Sequence, residues 1–145
     1  MDKKIYFLSY FIFDILLICS YGSYRCKNPE YKDLLETPLH IFGLDGWSLS
    51  HFVFFVIIGA QFPEKNYLIV ACIFGILWEL FEYYYGKHNR DHGQGWLGGH
   101  CKKLVTDKGE DRNWWYAKIS DIVMNILGLY CGYHLYKKYP QFKYS

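Results

Sequence analysis

Charge of one sign is scarce in this 145-residue chain: 16 Lys and Arg stand against 14 Asp and Glu, a formal net charge of +2. The basic residues are spread through connecting segments and ends and are not striped along one face, which excludes the electrostatic footprint of a nucleic-acid binder. The five cysteines, Cys19, Cys26, Cys72, Cys101 and Cys131, show no C-x-x-C spacing and are odd in number. That pattern encodes neither a familiar zinc or redox pair nor a disulfide framework, and three of the five fall in apolar runs as small core residues. Internal repeats are absent, and the length is too small for two separate cores, so the chain reads as one domain, 1–145.

Apolar and aromatic residues are abundant instead, at 52% and 21%, with 15 Tyr, 11 Phe and 5 Trp. The mean hydropathy of -0.07 is low for a membrane protein. That scale penalises tyrosine, which is tolerated at the headgroup level, so local runs are the better guide. Four runs stand out, 5–21, 47–62, 67–85 and 114–136, separated by polar loops 22–46 and 86–113 and by a tight turn at Pro63. Runs of this size also occur as core helices of soluble proteins, but 52–60 and 67–78 are apolar all round, with no charged outer face. The first run could be a secretory signal; Asp14 in its middle and Tyr-Gly-Ser-Tyr at its end favour a retained span. The expected fold class is all-α, a polytopic transmembrane helical bundle of about four spans and an integral, multi-pass membrane protein.

Ionisable residues inside a span cost about 2.5–3.5 kcal/mol each and need a partner or a use. Here they gather at one end of the spans: His51 near the start of the second, Glu79 and Glu82 near the end of the third, Asp121 and Asn125 near the start of the fourth. Antiparallel spans bring those three ends to the same membrane face. The rise per residue puts His51, Glu79 and Asp121 at similar depths, roughly 6–10 Å inside their helix ends. Glu79 and Glu82 are three apart and Asp121 and Asn125 four apart, so each pair shares a helix face. Like charges cannot gather in a low dielectric without protonating or binding a cation. Oxygen ligands favour Ca²⁺, Mg²⁺ or Mn²⁺ over zinc, with His51 as a further ligand or a general base. The competing reading is that these groups only hydrogen-bond between helices. His88, His92, His100 and Cys101 in the glycine-rich loop are a weaker zinc candidate, and Gly128 and Gly132 form a small-xxx-small pair of the kind that marks close helix packing.

Between Ser50 and Gly132 the chain resembles the base-exchange phosphatidylserine synthases: His51-Phe52 opens one span, Trp78-Glu79-x-x-Glu82 ends the next, and Trp114-Trp115-x5-Asp121-x3-Asn125 begins the last. Arg112 and Tyr116 stand where that family has acidic residues. The resemblance implies a calcium-dependent exchange of serine for choline or ethanolamine on a phospholipid. It implies His51, Glu79 and Asp121 as catalytic residues and Glu79, Glu82, Asp121 and Asn125 as cation ligands. Trp114, Trp115 and Arg112 would then bind substrate. The implied partners are a phospholipid bilayer, a phospholipid and a small amino alcohol, in the endoplasmic reticulum or its equivalent, with homo-oligomer formation left open. A second resemblance, to VanZ-like membrane proteins, rests on the same His-Phe and on Asp121, Asn125 and Gly128. It implies a membrane protein of less defined activity, in which the polar cluster serves helix packing or lipid binding.

Overall fold

The computed structural model describes residues 2–27, 35, 38–39, 43–92, 104–105, 111–112 and 117–142. Among the described residues the fold is all-α, with four helices: α1 (Lys3–Lys27), α2 (Gly46–Gln61), α3 (Lys65–His92) and α4 (Ile119–Lys138). Two-residue strands β1 (Leu104–Val105) and β2 (Asp111–Arg112) pair antiparallel, and a 3₁₀ turn, Pro140–Phe142, follows α4. The residues divide into two compact units, Met1–Lys32 with Phe81–Tyr116, and Asp33–Leu80 with Ala117–Ser145.

In the first unit, Asp2 starts α1 by accepting the Lys4 N–H at 2.9 Å, which satisfies one of the donors a helix start leaves open. Phe7 and Phe11 are its buried side chains and meet edge to face at 5.2 Å, whereas Ile5, Ile12, Phe13 and Leu16 are exposed. The helix runs through Gly22 to Lys27, past the expected end at residue 21. One interior glycine costs only about 1 kcal/mol, which does not stop a long helix.

The second unit carries the site. Asp45 caps α2, its Oδ1 accepting the Ser48 N–H at 3.0 Å. The helix stops at Gln61 because Pro63 pushes the residue before it out of the helical region, and Phe62 adopts φ -125, ψ 65. Three residues later α3 begins, as the tight turn at Pro63 anticipates. α2 and α4 approach backbone to backbone. A Cβ on Gly128 would lie 2.5 Å from the Phe52 carbonyl oxygen, and one on Gly59 would lie 2.6 Å from that of Leu129. Gly132 is held as tightly against Val56 and Ala60. Helices this close exclude water between them and fix the register of every side chain above the contact.

Two further helix boundaries differ by several residues from the sequence reading. α3 continues to His92, seven residues past the expected end, because Gly86 does not break an established helix. α4 begins at Ile119 and not at Trp114. Lys118 is extended, at φ -130 and ψ 135, because its N–H is used by a side chain on α3. Two of the four helices are long and apolar enough to cross a membrane, Lys3–Tyr24 and Lys65–Gly86. α2 is apolar but has 16 residues, and α4 carries Asp121, Asn125, His134, Lys137 and Lys138 among its 20.

Candidate metal centre

His51 stands on α2, one turn beyond Ser48 and two beyond the capping Asp45. Glu79 stands on α3, and Asp121 and Asn125 lie on the inward face of α4. Because α4 starts at Ile119, Asp121 lies in its first turn, shallower than the sequence spacing suggests. Glu79 and Asp121 are each 3% exposed and Asn125 is 2% exposed. One ligand atom from each of His51, Glu79 and Asp121 can be chosen so that all three lie within 4.8 Å of one another. For bond lengths near 2.1 Å, ligands around a four-coordinate ion are separated by about 3.4 Å, so a small inward movement would place all three on one ion.

Neighbouring groups hold all three side chains, and in Glu79 and His51 a second polar atom faces the other. The Glu79 Oε2 accepts the Lys118 N–H at 3.1 Å, while Oε1 is buried without a hydrogen-bond partner. Asp121 Oδ1 accepts the Ser48 hydroxyl in a short hydrogen bond and the Ser120 hydroxyl at 3.3 Å. His51 Nδ1 is paired with the Asn125 carbonyl oxygen Oδ1 at 2.9 Å, and as that oxygen can only accept, Nδ1 is the donor; Nε2 faces Glu79 Oε1 at 3.7 Å. Two such atoms attract only with a proton or a cation between them. Glu79 and Asp121 bring two carboxyl groups together in a nearly dry space, and a divalent ion would stabilise both as carboxylates.

A second layer holds the first. Asp45, 3% exposed, accepts from the Ser48 N–H and from the Lys118 ammonium, and the Ser48 hydroxyl, whose one proton it shares with Asp121, lies 3.2 Å from it. Burial alone would push the Asp45 carboxyl up, but the Lys118 ammonium and the Ser48 donors outweigh it and hold the group below the usual carboxylate range. Lys118 therefore serves two acids, Glu79 through its backbone and Asp45 through its side chain. Asn125 Nδ2 has no hydrogen-bond partner and lies against Gly75 of α3, where a Cβ would come within 2.7 Å of it.

Of the residues singled out from the sequence, His51, Glu79 and Asp121 come together, and Asn125 joins them by orienting the imidazole with the oxygen a cation would otherwise use. Glu82 is half-buried on the stretch of α3 that belongs to the first unit. Arg112 is a backbone position of β2, and Trp114 and Trp115 lie outside the described residues, as do His100, Cys101 and the side chains of His88 and His92. Sequence reasoning missed Asp45, Ser48 and Lys118. Asp-x-x-Ser before an apolar run is a helix-start signal and could have revealed the first two. No known protein family, curated protein or solved structure matches the chain.

Proposed function

We propose that this chain is a multi-pass helical membrane protein that holds a divalent cation between His51, Glu79 and Asp121 and uses the open side of that ion to bind a phospholipid head group. The observation that carries the reading is the convergence of His51, Glu79 and Asp121, in which His51 Nε2 faces Glu79 Oε1 while Lys118, Ser48 and Asn125 hold other atoms of the three side chains. Metal-binding histidines and carboxylates are oriented by such outer partners. The distribution of polarity supports the membrane. Val53, Ile73, Leu77, Leu80, Ile126 and Leu127 are exposed, while Asp45, Ser48, Glu79, Asp121 and Asn125 are buried, the inverse of a water-soluble helical protein. When bound, the ion supplies a Lewis acid for a phosphate oxygen.

Head-group exchange, which the likeness to phosphatidylserine synthases implies, is the second reading, and the tautomer of His51 favours it. Asn125 keeps the proton on Nδ1 and leaves Nε2 basic. Nε2 would take the proton of a serine hydroxyl, whose oxygen bonds to phosphorus as the bond from phosphorus to the choline or ethanolamine oxygen breaks. The departing oxygen would then recover the proton from His51. The two readings compete for one lone pair, since a nitrogen bound to a cation accepts no proton.

Purified protein in phosphatidylcholine or phosphatidylethanolamine vesicles, with labelled serine and a divalent cation, tests both. The binding reading expects cation-dependent retention of phospholipid and no labelled lipid. Labelled phosphatidylserine that disappears in His51→Gln would establish exchange. Retention of lipid unaffected by chelation would refute the cation-binding reading.

A further inference from the structure

The likeness to calcium-dependent enzymes sets an expectation that the donor set does not meet. Ca²⁺ takes six to eight oxygen ligands and commonly uses carboxylates with both oxygens. Here Glu79 Oε1 is the carboxylate oxygen without a hydrogen bond, Oε2 accepting the Lys118 N–H, and Asp121 Oδ1 already accepts from the Ser48 and Ser120 hydroxyls. The Asn125 carbonyl oxygen is occupied by His51. The side chains that converge are two carboxylates and one imidazole, three donor groups in a space where Glu79 and Asp121 are nearly fully buried. With one donor atom from each, calcium would need at least three further oxygens from water or lipid. Mg²⁺ shares that demand and disfavours nitrogen.

We infer that the ion this site selects is zinc, bound by His51 Nε2, Glu79 Oε1 and a single oxygen of Asp121, with a fourth position open to an oxygen of the lipid phosphate. The inference rests on the reading that the cluster holds a divalent cation, and names which one. Zinc is satisfied by four ligands, accepts imidazole nitrogen and single carboxylate oxygens, and keeps an open position wherever it engages a ligand. The histidine is already oriented as in zinc sites, its second nitrogen donating to an oxygen. Glu79 Oε1, buried and without a hydrogen-bond partner, is the acceptor that most needs a cation. Zinc also stands above manganese in intrinsic affinity for nitrogen and oxygen donors.

The test uses the full chain in detergent, with His88→Gln, His92→Gln, His100→Gln and Cys101→Ser introduced together so that neither the end of α3 nor the segment that follows it contributes a histidine or cysteine ligand. Co²⁺ serves as the spectroscopic probe, because its visible absorption is intense when four-coordinate and weak when six-coordinate. The expected result is one intense band at one Co²⁺ per chain, abolished by stoichiometric Zn²⁺ and resistant to Ca²⁺ in about a hundredfold excess. His51→Gln should abolish the band. Glu79→Gln, which retains an oxygen for the Lys118 N–H, should abolish it too and guards against loss of fold in the first variant. Displacement of Co²⁺ by equimolar Ca²⁺, or a weak six-coordinate spectrum, would overturn zinc selectivity and leave the cation site standing. Absence of bound Co²⁺, Zn²⁺, Mn²⁺ and Ca²⁺ alike would overturn both.

Discussion

Replacing Lys118 with Met removes the ammonium that Asp45 faces while keeping the chain length and the backbone N–H that Glu79 uses. Breaking a fully buried ion pair costs about 3–5 kcal/mol, because the remaining charge is left in low dielectric, and breaking an exposed one costs about 0–1. Asp45 is buried, but the Lys118 side chain is 26% exposed. The expected loss is therefore about 2–3 kcal/mol at neutral pH, between those limits. Asp45→Asn alone should cost a similar amount, since it leaves the ammonium without its carboxylate. The double variant should cost less than the sum, because neither charge is then stranded. The pH dependence has a definite sign. Asp45 has a depressed folded-state pKa, so its stabilisation is present above the unfolded value of about 3.9 and is lost as pH falls through the lower folded value. The gap between wild type and Lys118→Met should therefore narrow on acidification, because the stranded carboxylate of the variant takes up a proton. Denaturant or thermal unfolding in detergent at neutral and acidic pH measures all four proteins. Additive single-site effects, or a gap that is constant with pH, would refute the account of Lys118 as the counter-charge of Asp45.

Asp121→Asn keeps volume and an acceptor for Ser48 but removes charge, so it should lose most of any zinc-dependent rise in melting temperature, read by thermal shift with and without chelator. Gly132→Ala forces a methyl group against the backbone of Val56 and Ala60, and should destabilise by about 1–3 kcal/mol or more. The same variant should weaken metal binding, because it shifts α2, which carries His51, away from α4; unchanged affinity by equilibrium dialysis would uncouple packing from site. Ser48→Ala removes the hydroxyl that holds Asp121 and should lower stability by about 1.5–3 kcal/mol and weaken zinc binding, whereas Ser50→Ala, one residue short of His51 on an exposed position, should do neither.

The helices were legible because apolar runs flanked by Pro63 and by polar loops leave few alternatives. Their ends were less so. Gly86 reads as punctuation in a linear scan, yet a helix already propagating passes through it. The start of α4 is decided by a bond between the Lys118 N–H and a glutamate on another helix, 39 residues earlier, which no local pattern records. The same applies to the site. His51, Glu79 and Asp121 announce themselves as ionisable residues in apolar surroundings. Asp45, Ser48 and Lys118 sit at polar helix ends where such residues are ordinary, and only tertiary contact gives them their roles. Which oxygens of Glu79, Asp121 and Asn125 are already hydrogen-bonded is likewise invisible in composition and appears only in the fold.

The 16 residues of α2 have a further consequence in a bilayer. At 1.5 Å per residue the helix is about 24 Å long, short of the roughly 30 Å of hydrocarbon it would have to cross. Hydrophobic mismatch of this sign is met by thinning of the surrounding lipid, so that head groups descend along the short helix. Asp45, Ser48 and His51 occupy its first turns. The lipid would then deform toward the cluster, and phosphates would be delivered to the depth of the imidazole without any polar channel through the protein.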